Sequence, residues 1–182
     1  MTLRGWLRFV GVLVLVAVVQ VGVLDGITVA GAHPDLFLLV AVVCGLAAGP
    51  QLGSVMAFVS GLVADLFVPT PYGLSALCFV LVAFAVGLAA GLPGGRAPYS
   101  FKVVTALLGS IGGTLLYAGL ETLLGQPHLD LGATLVICLV VAVGNAILVI
   151  PTAALVTWAV TAGSSGSSRD LASLAGGSAT SR

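Results

Sequence analysis

LFLLVAVVCGLAAGPQLGSVMAFVSGLVADLFV, running from Leu36 to Val68, contains one charged side chain, Asp65. A helix needs roughly 20 residues to cross a bilayer core of about 30 Å, so this run is too long for a single straight crossing. Gly49-Pro50-Gln51 divides it. Pro50 has no N–H for the helical ladder and its ring crowds the preceding turn, so the chain is expected to break there into two short helices. Each is short for a full crossing. Two crossings are the expectation, with a re-entrant hairpin as the alternative. Both return the chain to the side it came from, so charge counting does not separate them.

The same reading extends outward along the chain. Apolar spans are predicted over about Trp6 to Leu24, Leu74 to Leu92, Lys102 to Leu124 and Leu131 to Thr161, which with the divided run makes about six transmembrane helices. Arg4 and Arg8 precede the first span, Arg96 and Lys102 flank the Pro/Gly-rich break in the middle, and Arg169 and Arg182 lie in the tail. If basic loops stay cytoplasmic, both termini and the central break face inward. The expectation is an all-α integral membrane protein: a polytopic domain over residues 1–162 and a disordered Gly/Ser-rich cytoplasmic tail over 163–182. Pro151 is expected to kink the last span or tilt its exit. Ala30-Gly31-Ala32 resembles a signal-peptidase site, but Asp25 separates it from a long apolar run, so the first span reads as retained.

Composition supports this class. Apolar residues make up 59% of the chain, charged residues 7%, net charge is zero and mean hydropathy is +1.24, which leaves too little charge for a water-soluble surface. No basic run suggests nucleic acid. No alternating ten-residue strands suggest a barrel. Cys44, Cys78 and Cys138 are isolated in apolar runs and read as small buried hydrophobes. No catalytic or phosphate-binding motif is present, and the chain is expected to be non-enzymatic, without cofactor or metal. The repeated His33-Pro34-Asp35 and His128-Leu129-Asp130 are more simply helix starts, where a carboxylate complements the N-terminal dipole, than metal ligands.

Function must then lie with the polar and small residues inside the spans. Asp65 sits near the end of its helix with no basic residue of the chain on its side. Solvation at the interface, a hydrogen bond to a neighbouring turn and contact with a partner all remain open for it. Gln20, Tyr117 and Glu121 fall at similar depth and would join it in lining an outward cleft, or be ordinary interface residues. Asn145 is expected to bond between helices. Gly45 and Gly49, Gly87 and Gly91, and Gly109 and Gly113 form small-xxx-small faces. These let helices approach closely, either within the protein or against a membrane partner or second copy.

Pro34-Asp35-Leu36, Gly49-Pro50, Gly53, Gly61-Leu62, Asp65 and Pro71-Tyr72-Gly73-Leu74, in this order, resemble the core of the rod shape-determining protein MreD family. The resemblance implies a bacterial inner-membrane subunit of the cell-wall elongation machinery. Such a subunit associates with the bitopic protein MreC, and through it with the actin-like MreB and peptidoglycan synthases. It also implies a fold similar to the six-helix substrate-binding subunits of energy-coupling-factor transporters, so that a vitamin-binding subunit is the rival reading. Low aromatic content and short outer loops favour the scaffold.

Overall fold

The computed structural model describes residues 2–24, 26, 34–67, 72–91, 98–125 and 131–161. All regular structure among them is helical: α1, Leu3–Val19, continuing into a π-helical turn, Gln20–Leu24; α2, Leu36–Ala64; α3, Leu74–Ala90; α4, Tyr99–Leu123; and α5, Leu131–Thr161. The tail and the central basic loop, with Arg96, lie outside the described residues. Leu3–Leu24, Leu36–Ala64, Ser100–Leu123 and Thr134–Thr161 are each long and apolar enough to cross a membrane.

By length α2 is one such helix, yet it is not one straight rod. Gly49 has φ +77° and ψ −179°, outside helical space, at the expected break. Beyond it the chain turns back. Ser60 Oγ donates to the Phe37 carbonyl at 3.3 Å, and a Cβ on Gly53 would lie 2.6 Å from the Cys44 carbonyl oxygen. Residues 37 and 60 would stand about 34 Å apart along a continuous helix, so these contacts require an antiparallel hairpin. Its arms are residues 36–48 and 50–64, about 20 and 22 Å long.

Neighbouring contacts give the direction of every other helix. Gly61 abuts Ala76 and Gly87 abuts Pro50, so α3 leaves the open end of the hairpin and reaches its tip. Gly113 faces Leu38 and Gly109 faces Val42, so α4 runs antiparallel to the first arm. α5 places Gly144 against Pro34 near the open end and Trp158 beside Arg8 at the other. α1 runs from Arg8 at the tip end to Gln20 at the open end, where Gln20 meets Pro34 and Leu36. α5 continues through Pro151 as one element.

The first arm is the hub of this arrangement. Every residue from Leu36 to Gly45 is buried, as expected of a helix apolar on all sides. α1 presents only one stripe to the bundle, Phe9, Val12, Leu13 and Val16, while Leu7, Val10, Val14 and Val18 remain exposed. Outward-facing leucine, valine and isoleucine recur on α4 and α5, at Leu108, Leu115, Leu139 and Ile147. In water such a surface would aggregate; in a bilayer it faces lipid tails.

Charge follows the same axis. Of the described residues, Arg4, Arg8 and Lys102 belong to the helix starts at the tip end, and Asp35, Asp65 and Glu121 to the open end.

Candidate functional site

The open end of the hairpin gathers most of the polar side chains singled out by the sequence, and each is turned onto backbone. Gly73 begins α3 at φ +97°, a conformation suited to glycine but one that supplies no capping side chain. Asp65 takes that role from the end of the preceding helix. Its Oδ2 accepts from the Gly73 N–H at 2.7 Å and its Oδ1 from the Ser75 N–H at 3.1 Å. The carboxylate is 2% exposed. Its unfavourable position at the C-terminus of α2 is offset by two charge-assisted bonds at the N-terminus of α3, where a negative charge is favoured. Of the three readings of Asp65, the geometry matches the bond to a neighbouring turn.

Asp35 performs the usual version of this task, its Oδ1 accepting from the Leu38 N–H at 3.0 Å as the N-cap of α2. Pro34, beside it, seats its ring against Gly144 of α5. Gln20 bridges α1 to the same turn: its Nε2 donates to the Pro34 carbonyl at 3.1 Å, and its Oε1 accepts from the Leu36 N–H at 3.0 Å. It is buried at 6% exposure, and the π-helical turn starts at this residue. Phe37 and Phe67 stack at 6.0 Å and close the hairpin end from the other side. Gln20 and Asp65 thus secure backbone, and of the two readings of this polar group the outward cleft finds no support from them. Tyr117 packs against the core from α4, and Glu121 is half-buried one turn further out.

At the tip the glycines account for the packing. A Cβ on Gly53 would collide with the facing arm, and one on Gly87 would lie 2.6 Å from the Pro50 N and Cα. Gly45 is closed off by the Ala83 backbone and, at the open end, Gly61 by Ser75 and Ala76. The expected Gly87/Gly91 face is therefore divided. Gly87 is taken up inside the protein, whereas Gly91 ends α3 with open space beside it. Gly109 and Gly113 likewise face the first arm, while Gly112 and Gly119 of the same helix have no neighbour within 4 Å. The expected Asn145 bond is present: its Nδ2 donates to Ser110 Oγ at 2.9 Å, both side chains being fully buried. The other amide atom, Oδ1, has no hydrogen-bond partner. Cys44, Cys78 and Cys138 are buried, as the sequence suggested.

Pro71 lies outside the described residues, as do His33, His128 and Asp130. Sequence reasoning identified Gln20 as polar within a span but missed its task. The available signal was a lone amide at the depth of the Pro34-Asp35 helix start, where the first N–H groups of a helix lack partners.

Fold and surface together define a polytopic helical membrane protein. No protein-family model, no curated protein and no solved structure matches the chain.

Proposed function

We propose that this chain is a non-enzymatic scaffold or regulatory subunit of the bacterial elongation machinery, related to the MreD family. In this reading it resides in the cytoplasmic membrane, crosses it six times with both hairpin arms counted, and keeps both termini in the cytoplasm. It acts in cell-shape determination and lateral peptidoglycan synthesis through an MreC-like bitopic partner, and through that partner on an MreB-like actin homologue and the synthases.

One observation carries the reading. Asp35, Gly49, Pro50, Gly53, Gly61, Asp65 and Gly73, which carry the family resemblance, all lie in the hairpin and the start of α3, where they cap, turn or closely pack one folded unit. The described residues are nearly all helix, and the surface they offer to other proteins is one of helix faces. A vitamin-binding subunit would use the open end for its ligand, where Gln20 and Asp65 are already engaged with backbone.

The functional test is co-purification with an MreC-like protein together with rescue of rod shape in a strain depleted of the native subunit. The wild-type chain is expected to do both; failure in both overturns the reading. Because Gly87 is internal, the association variants belong at Gly112 and Gly119, where leucine is expected to weaken the complex without unfolding the protein. For topology, single cysteines replacing Thr70 and Ser164 in a cysteine-free background are the measure. An impermeant outside reagent should label the first and not the second, and the reverse result overturns the orientation.

A further inference from the structure

We propose that the end of the bundle where α1 begins and α5 finishes binds an anionic phospholipid, whose phosphodiester is held by Arg8 with Arg4 beside it. Arg8 places its guanidinium 4.4 Å from the ring centre of Trp158, joining the first helix to the last. A cation–π contact fixes the group through its face, while guanidinium N–H donors are arrayed around the edge, the geometry that suits phosphate oxygens. Arg4 lies one turn away at i−4, on the same side of α1, and is exposed.

No acidic side chain among the described residues shares this end: Asp35, Asp65 and Glu121 all belong to the opposite one, more than half the length of the bundle away. The positive charge therefore lacks a counter-ion from the described chain. Both tryptophans of the sequence are here, Trp6 packed edge-on to Phe9 and Trp158 half exposed, at the level where indoles favour the lipid headgroup region. Below them the exposed Leu7, Val10 and Val14 of α1 and Ile147 and Ile150 of α5 offer apolar surface for acyl chains. A basic, aromatic-framed site between helix ends selects net negative headgroups over zwitterionic ones. The proposal requires only that the protein sits in a bilayer and does not depend on its role in wall synthesis.

The test is native mass spectrometry of the full chain extracted from vesicles of equal phosphatidylglycerol and phosphatidylcholine, together with thermal unfolding in nanodiscs of each lipid. The wild type is expected to retain phosphatidylglycerol preferentially and to melt higher in it. Arg8→Gln should lower the preference by about fivefold, the value of one basic side chain at an anionic surface, and Arg8→Lys should keep part of it. Should Arg8→Gln fail to insert, Arg4→Gln carries the same expectation on an exposed site. Equal retention of both lipids by the wild type overturns the proposal. So does a melting loss in Arg8→Gln that is the same in both lipids, since that is the mark of a purely structural clasp.

Discussion

Two kinds of contact stand side by side around the hairpin. Between its arms and against α3 the approach is backbone to backbone: Gly53 on Cys44, Gly45 on Ala83, Gly61 on Ala76 and Gly87 on Pro50. Against α4 it is glycine to side chain, Gly109 on Val42 and Gly113 on Leu38. Burial follows the contrast. Of the most apolar stretch of α2, 67% is buried, against 17% for α4 and 33% for α5. In lipid there is little hydrophobic gain from bringing helices together, so close van der Waals packing and hydrogen bonds must hold them. The hairpin and α3 have both, from the glycine contacts and the Asp65 cap. α4 and α5 are joined by the side-chain pair Asn145–Ser110, and α4 meets α3 through the Cys78 thiol on the Gly113 carbonyl, with looser packing and an amide oxygen left unpartnered. The hairpin with α3 is thus the closely packed unit, and the α4–α5 pair the region with most surface left for lipid or a partner.

The strongest challenge to this division is alanine at the backbone contacts. Gly61→Ala and Gly87→Ala force a methyl into main chain that has no rotamer to change. The expected loss is at the upper end of overpacking, about 3 kcal/mol, only partly offset by about 1 kcal/mol of helix propensity. Denaturant titration in detergent or bicelles measures it. Wild-type stability for both would show that the hairpin and α3 are not in close contact.

Asp65 comes next. Asp65→Ala leaves the buried Ser75 N–H and the half-buried Gly73 N–H without an acceptor, a loss of about 1–3 kcal/mol for the first and less for the second. Asp65→Asn keeps one acceptor and should lose about half as much, and it should recover more of the rod-shape rescue than alanine. Equal losses for Asn and Ala would point to the charge itself, and so to a partner's cation, rather than to the α3 cap.

The smallest effect is expected at Gly113. An added methyl there meets only the ends of the Leu38 side chain, the nearest at 2.6 Å, which can move aside. Gly113→Ala should fall within about 1 kcal/mol of wild type, with the helix-propensity gain opposing the repacking. A loss as large as that of Gly87→Ala would erase the distinction between the two regions.

Much of this was legible in the residues. Gly49-Pro50 marked the turn because proline cannot continue a helix, and Asp35 marked a helix start because a carboxylate there meets free N–H groups. Span limits at Leu24, Leu36, Leu74 and Thr161 agree with the helices, since each apolar run ends where polar or turn residues begin. The task of Asp65 was only partly legible. A bond to the neighbouring turn was one reading among three, and the sequence could not say that Gly73 would leave α3 without a cap of its own. The Gly87/Gly91 pair left internal packing and partner docking both open, because its spacing is the same whether the facing backbone belongs to this chain or to another; Gly87 proves to face Pro50 of this chain.

What the sequence determined by itself was the solvent and the breaks: apolar runs of membrane length, and helix starts and stops. These follow from local composition and from the backbone's need for internal hydrogen bonds in lipid. What only the tertiary structure decided was which face of each helix is inside. Spans apolar on every side carry no periodic signal for it. The fold-back of α2 at Gly49 makes its first arm the hub, turns Gly45, Gly53, Gly61 and Gly87 inward, and brings Asp65 within reach of α3. Side chains equally at ease in lipid and in protein are sorted by shape and hydrogen bonding, and those are properties of the assembled bundle.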